Sequence, residues 1–245
     1  MSTSLRDLGI DLLSPDFIAN PYPHYDLLRE AGPILYDPDW KLWFVSTYTD
    51  ISTLLRDRRF GRDMEDAPKP DPHTPFGKLH QNSLMEKEPP DHTRLRGLVN
   101  KAFTPGRVEA LRPHIAELAH RLLDRLYPRH EMDLLTDFAE PLPVMVIAEL
   151  LGVPQDGRAF LRPWSQAIVA MYELAPSRAD ARKANQAVSE FSTYLQTLIN
   201  ERRIAPREDL ISALIEAEEE GNRLSEDELI ATCILMLNAG HEATV

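Results

Sequence analysis

The chain has 245 residues, 43% of them apolar and 27% charged, and a net charge of −12. Those proportions suit a globular protein long enough to bury a core, and the acidic balance argues against nucleic acid as a partner. The apolar runs fall short of the roughly 20 residues a membrane span needs. The N-terminus has no apolar signal core, and a single cysteine rules out an internal disulfide. A cytoplasmic protein with no membrane partner is therefore expected.

In chain order, a short helix is predicted around Tyr22 to Ala31, stopped by Gly32-Pro33. Ile34-Leu35-Tyr36 and Leu42-Trp43-Phe44-Val45 read as strands around the turn signal Asp37-Pro38-Asp39. Asp50 is expected to cap a helix over Ile51 to Arg56. Residues 61–83, with Pro68, Pro70, Pro72 and Pro75, read as a long loop, and long loops are often binding elements. From Pro89 onward the pattern is helical. Pro89-Pro90 starts a helix whose apolar stripe is Leu95, Leu98, Val99 and Ala102. Further helices are predicted at about 106–127, 141–151, 156–174, 178–203 and 207–220, the last stopped by Gly221. Ser225 and Glu228 form a capping box for a final helix. The fold class is mainly α with a small N-terminal β-sheet, in a single domain over 1–245.

The final helix runs through Leu229-Ile230-Ala231-Thr232-Cys233-Ile234-Leu235-Met236-Leu237 into Ala239-Gly240-His241-Glu242-Ala243-Thr244-Val245. Glycine weakens a helix by about 1 kcal/mol relative to alanine, and an unpaired buried carboxylate costs more. Such residues at the end of an apolar run point to a reaction site inside a helix. His92 and Arg96 lie four apart on the helix that begins near Pro90, so two cations share one face and an anion between them relieves their repulsion. From Arg94 to Arg112 the basic residues are Arg94, Arg96, Lys101, Arg107 and Arg112, against one acid, Glu109. That stretch is either a solvated face or a docking patch for an acidic partner. No zinc-protease motif and no phosphate-cradling glycine loop is present. Cys233 reads as a buried structural cysteine.

Glu88-Pro89-Pro90-Asp91-His92-Thr93-Arg94-Leu95-Arg96, followed by Lys101-Ala102-Phe103-Thr104-Pro105, closely resembles the third-helix signature of bacterial soluble cytochromes P450. Ala239-Gly240-His241-Glu242-Ala243-Thr244 resembles that family's oxygen-activation motif, and Tyr48 through Phe60 its early sheet-to-helix passage. The resemblance implies an incomplete cytochrome P450 fold that ends within the central helix. It implies haem b (iron protoporphyrin IX) as cofactor, with His92 and Arg96 on the propionates and Leu84, Met85 and Phe103 near the haem edge. Ala239, Gly240 and Ala243 belong to the distal side, and Glu242 is the implied acid of a proton relay. Implied partners are a ferredoxin or flavodoxin-like electron donor fed by NAD(P)H, and a small apolar substrate. The basic stretch from Arg94 to Arg112 is the implied donor-docking side. Substrate specificity is expected from the loop at 61–83 and from about 160–185, around Trp164, Met171 and Tyr172.

Two departures from the family pattern matter. Ala243 stands where threonine usually follows the acid; Thr244, one residue on and about 100° further round the helix, is the candidate catalytic residue beside Glu242, but its hydroxyl cannot simply replace the missing one. An ordered water or a substrate hydroxyl is expected to complete the relay. The family's axial cysteine and its Glu-x-x-Arg pair lie beyond the end of this sequence, so no metal ligand is assigned. The expectation is a haem-thiolate monooxygenase in the complete enzyme, with this chain inactive alone. The alternative is a non-enzymatic helical remnant or interaction protein.

Overall fold

The computed structural model describes residues 4–62, 69–217, 221–242 and 244, Glu242 by its backbone alone. The chain divides into two compact units, Met1–Gly61 and Arg62–Val245.

The first unit holds α1 (Pro15–Ala19), α2 (Tyr22–Ala31), β1 (Ile34–Asp37), β2 (Leu42–Val45) and α3 (Tyr48–Leu54). The two strands pair antiparallel, with Leu35 opposite Phe44 and Tyr36 opposite Trp43. Leu5, Ile10, Leu28 and Leu35 form its small core. Asp37 organises the β1–β2 turn by accepting from the amides of Trp40 and Asp39, each at 2.9 Å, and it also accepts from the Leu5 amide at 2.8 Å. The Trp40 hydrogen bond foremost, opposed by burial, holds its carboxyl below the ordinary value. The cap of α3 is Thr47, not Asp50. Thr47 Oγ1 accepts from the Asp50 amide at 3.2 Å and donates to the Asp50 carboxylate at 2.5 Å. The acid is thus the third helical residue, bonded by the capping hydroxyl through both its amide and its carboxylate.

The second unit is helical: α4 (Pro75–Asn82), a 3-10 turn at Leu84–Glu86, α5 (Asp91–Ala102), α6 (Pro105–Leu126), a π-helical turn at Leu134–Ala139, α7 (Pro141–Leu151), α8 (Arg158–Val169), α9 (Arg178–Ile204), α10 (Leu210–Glu216) and α11 (Glu226–Glu242). The expected loop at 61–83 therefore contains a helix. Thr74 caps it by accepting from the Gly77 amide at 3.1 Å, and Pro75 fills its first position, where no amide partner is needed. The helix expected at 156–174 is interrupted, with 3-10 turns at Gln155–Gly157 and Ala170–Tyr172 on either side of α8. The helix expected at 207–220 is shorter and starts from an Asp209 cap that accepts from the Ser212 amide at 2.8 Å; residues 218–220 lie outside the described residues.

α11 is the axis of this unit. It touches α4, α7, α8, α9 and α10, and Leu229, Ala231, Cys233, Ile234 and Leu237 are all at most 2% exposed. A helix apolar on most of its circumference needs such cover. Around it a buried ion pair fixes three helices. Arg202 of α9, 1% exposed, donates from Nε to Asp209 at 2.5 Å and from Nη2 to the Gly152 carbonyl after α7 at 2.8 Å. Gly152 has φ +80°, and a Cβ there would stand 2.6 Å from the Asp209 Cβ, so only glycine suits both the backbone and the space. At the start of α11, Glu228 pairs with Arg94 of α5 and accepts from the Ser225 amide at 2.8 Å.

Asp209→Ala leaves a buried guanidinium without its counter-charge and uncaps α10. It is expected to cost about 3–5 kcal/mol, read from chemical denaturation. Burial pushes the Glu228 carboxyl up, but hydrogen bonds from Arg94 and Ser225, with the Arg94 charge, hold it below its ordinary 4.5. Its contribution to stability is therefore complete above pH 4.5 and is lost as pH falls through the lowered value. Glu228→Gln is expected to flatten that part of the stability–pH curve, measured by thermal melts between neutral and acid pH.

Candidate functional site

α5 presents two different edges. Leu95, Leu98, Val99 and Ala102 point into the core. At about 100° per residue, His92 lies at one edge of that stripe with Arg96 some 40° further toward solvent, while Arg94 lies at the other edge. His92 is half-buried and Arg96 is exposed. Among the described residues neither has an ion-pair partner, whereas Arg94 is neutralised by Glu228. The basic stretch from Arg94 to Arg112 is accordingly less cationic than its sequence suggests. Arg112 pairs with Glu109 at 2.8 Å, and Arg107 donates to the Ala102 carbonyl at 2.9 Å.

The 3-10 turn at Leu84–Glu86 touches both α5 and α11. It brings two of the sequence-predicted edge residues to the same region: Leu84 is buried and Met85 is 45% exposed. Phe103, just after α5, is half-buried and packs on the main core. On α11, Ala239 is exposed and Gly240 half-buried. A Cβ at Gly240 would come within 2.6 Å of the Ile147 side chain, so the glycine lets α11 approach α7 closely. The Thr244 hydroxyl donates back to the Gly240 carbonyl at 3.0 Å, a bond within its own helical turn. The predicted roles of the Glu242 side chain and of Ala243 fall outside the described residues.

A polar group that sequence reasoning missed holds this end of α11. Ser165 of α8 donates to Asn238 Oδ1 at 2.8 Å and lies 3.3 Å from His241 Nδ1. His241 is 3% exposed. Asn238 and His241, three apart in an apolar helix, were the available signal.

The two segments expected to set specificity meet through one of their members. Tyr172 lies 5.8 Å from Phe76 and 6.2 Å from His80 of α4, ring centre to ring centre. Burial pushes the Tyr172 phenol up to about 12, with help from the Glu86 charge. Burial also lowers the His80 imidazole from 6.5, against Glu86 at 3.6 Å, which raises it, while Arg62 and Lys69 lower it further. Trp164 is not part of this group. It stacks on Phe191 at 5.0 Å and donates to Glu190 at 2.9 Å, inside the α8–α9 interface. Cys233 is fully buried, and burial pushes its thiol up to about 12, so it offers no thiolate.

The donor set fits a flat apolar cofactor carrying two carboxylates. It combines His92 and Arg96 on α5, which have no ion-pair partner among the described residues, the apolar Leu84, Met85 and Phe103, and an exposed Ala239 on α11.

A family model described as Cytochrome P450 matches residues 40–245. The chain is 36% identical over 241 residues to the polyketide biosynthesis cytochrome P450 PksS of Bacillus subtilis (strain 168), covering 94% of this chain and 58% of that protein. It is 40% identical over 250 residues to the cytochrome P450 monooxygenase PikC of Streptomyces venezuelae, covering 100% of this chain and again 58% of the relative. The crystal structure of P450BioI in complex with hexadec-9Z-enoic acid ligated acyl carrier protein superposes with a TM-score of 0.85 at 33% identity, over 93% of this chain and 59% of that one. The chain thus spans somewhat under three-fifths of the length of these relatives. In motif order, helical architecture and sequence it belongs to the cytochrome P450 family.

Proposed function

We propose that these residues form the oxygen- and substrate-side portion of a haem-thiolate monooxygenase, which inserts one atom of O2 into an apolar organic substrate. The observation that carries the reading is that His92 and Arg96, without an ion-pair partner among the described residues, lie on α5, which packs on the same 3-10 turn as α11. Haem, when bound, supplies the redox chemistry with O2 that no side chain here can perform.

The chain's own residues hold, shape and protonate. His92 and Arg96 bind the propionates through charge-assisted hydrogen bonds. Leu84, Met85 and Phe103 exclude water along the cofactor's edge. Ala239 and Gly240 keep bulk away from its distal face. Glu242 carries the proton, and with Ala243 in place of a hydroxyl-bearing residue, an ordered water or a substrate hydroxyl passes it on. The Thr244 hydroxyl donates to the Gly240 carbonyl and keeps its acceptor capacity for that water. The axial thiolate comes from the part of the relatives' length that these residues do not span. Electrons come from NAD(P)H through a ferredoxin or flavodoxin-like donor. The fatty acyl chain in the P450BioI complex supports an apolar substrate, and the Phe76–His80–Tyr172 group is the proposed wall that selects it.

Haem titration of the chain tests the cradle. His92→Ala and Arg96→Ala are each expected to weaken haem binding about tenfold, the worth of one hydrogen bond to a charged group. Arg112→Ala, whose side chain is paired with Glu109, is the control expected to bind as wild type. Equal affinity in all four proteins would sink the reading. Cys233→Ala is expected to leave the carbon-monoxide difference spectrum of the haem-loaded chain unchanged. In the complete enzyme, Ala243→Thr is expected to give little gain in product formed per reductant consumed. A large gain with the native substrate would show that no water or substrate group fills the relay.

A further inference from the structure

Away from the α5–α11 region, a cavity of 200 Å³ lies between α6, α7 and the start of α8. Its walls carry three guanidinium groups, those of Arg121, Arg125 and Arg158, and one carboxylate, Glu149. Both oxygens of Glu149 are already engaged. Oε1 accepts from Arg158 Nη1 at 2.7 Å, and Oε2 meets His114 Nε2. Arg158 is held further by its Nε, which donates to the Val153 carbonyl at 3.2 Å.

The two arginines of α6 are left without comparable partners. Arg121 Nη2 stands 3.9 Å from Glu149 Oε1, beyond hydrogen-bond reach. Arg125 has no ion-pair partner among the described residues, and Asp124 beside it does not line the cavity. Four residues apart on one helix, Arg121 and Arg125 repel each other. The dipole of α6 favours a cation in its last turn, which accounts for the sign of Arg125. It does not account for three arginines lining one partly open cavity, one of them from another helix.

We propose that this cavity binds a phosphate group, either inorganic phosphate or the phosphate of a small monoester. Arg121 and Arg125 are its ligands, and Arg158, fixed by Glu149 and Val153, is the rigid wall. Planar forked donors match phosphate oxygens in pairs. A dianion between the two α6 arginines removes their repulsion, and the small volume suits a single phosphate rather than an extended polyanion. The site shares no residue with the proposed haem cradle, so it stands or falls separately.

Calorimetric titration of the 245-residue chain at constant ionic strength tests it, with inorganic phosphate, glycerol 3-phosphate and phosphatidylglycerol vesicles as probes and chloride as the blank. Saturable phosphate binding is expected, with Kd on the order of 1 mM or tighter. Arg125→Ala and Arg121→Ala are each expected to weaken it tenfold or more, Arg125→Lys less, and Arg112→Ala not at all. Tighter binding of glycerol 3-phosphate than of inorganic phosphate identifies a monoester as the ligand. Three results overturn the proposal: no saturable phosphate binding, equal binding by Arg125→Ala with its circular dichroism intact, or binding of vesicles alone.

Discussion

α11 has too little polar surface to face water, and the second unit is arranged around hiding it. At about 100° per residue Leu229, Ile234, Ala231 and Thr232 face different sides of the helix, yet all are buried, so neighbours must close on it from several sides. Apolar burial drives that gathering but is non-directional. Direction comes from the polar ties near the ends. Arg94 and Glu228 fasten the first turn to α5. Ser165, Asn238 and His241 fasten the last turns to α8. Between those ties the helix has little freedom to rotate or slide, which is what a surface formed by Ala239 and Gly240 requires.

α5 shows how one helix serves structure and chemistry at once. Its core face fixes its position, and its two edges diverge in role. One edge sends Arg94 to an acid 134 residues away, where the charge is consumed in holding the fold. The other carries His92 and Arg96, which have no ion-pair partner among the described residues. The same distinction runs through α6, where Arg112 is paired on its own helix and Arg125 is not. A basic residue is informative about binding only once its acidic partners have been counted.

Much of this was legible in the sequence. The β1–β2 hairpin, α2, α5 and α7 follow from turn residues, apolar spacing and glycine or proline stops. Local chemistry was misjudged in two places. Thr47 was passed over for Asp50 as a cap, and α4 was hidden by the prolines around it although Thr74-Pro75 is a helix start. What could not be read was long-range. Nothing near Arg94 announces Glu228, nothing near Tyr172 announces His80, and Trp164 looks equally suited to a pocket and to the α8–α9 interface it occupies. The motif residues can be read together because they are contiguous, while Ser165, which bonds to Asn238 and lies beside His241, comes from another helix.

The contact between Gly240 and Ile147 has a consequence for how this family member can vary. The two positions share one volume: the space a side chain at 240 would need is filled by the branch at 147. A larger residue on α11 requires the Ile147 side chain to move or to be smaller, and a smaller residue at 147 opens a void beneath Gly240. Size at the two sites is therefore coupled. The shape of α11 around Gly240 is set partly by a residue on α7 that the motif itself does not contain.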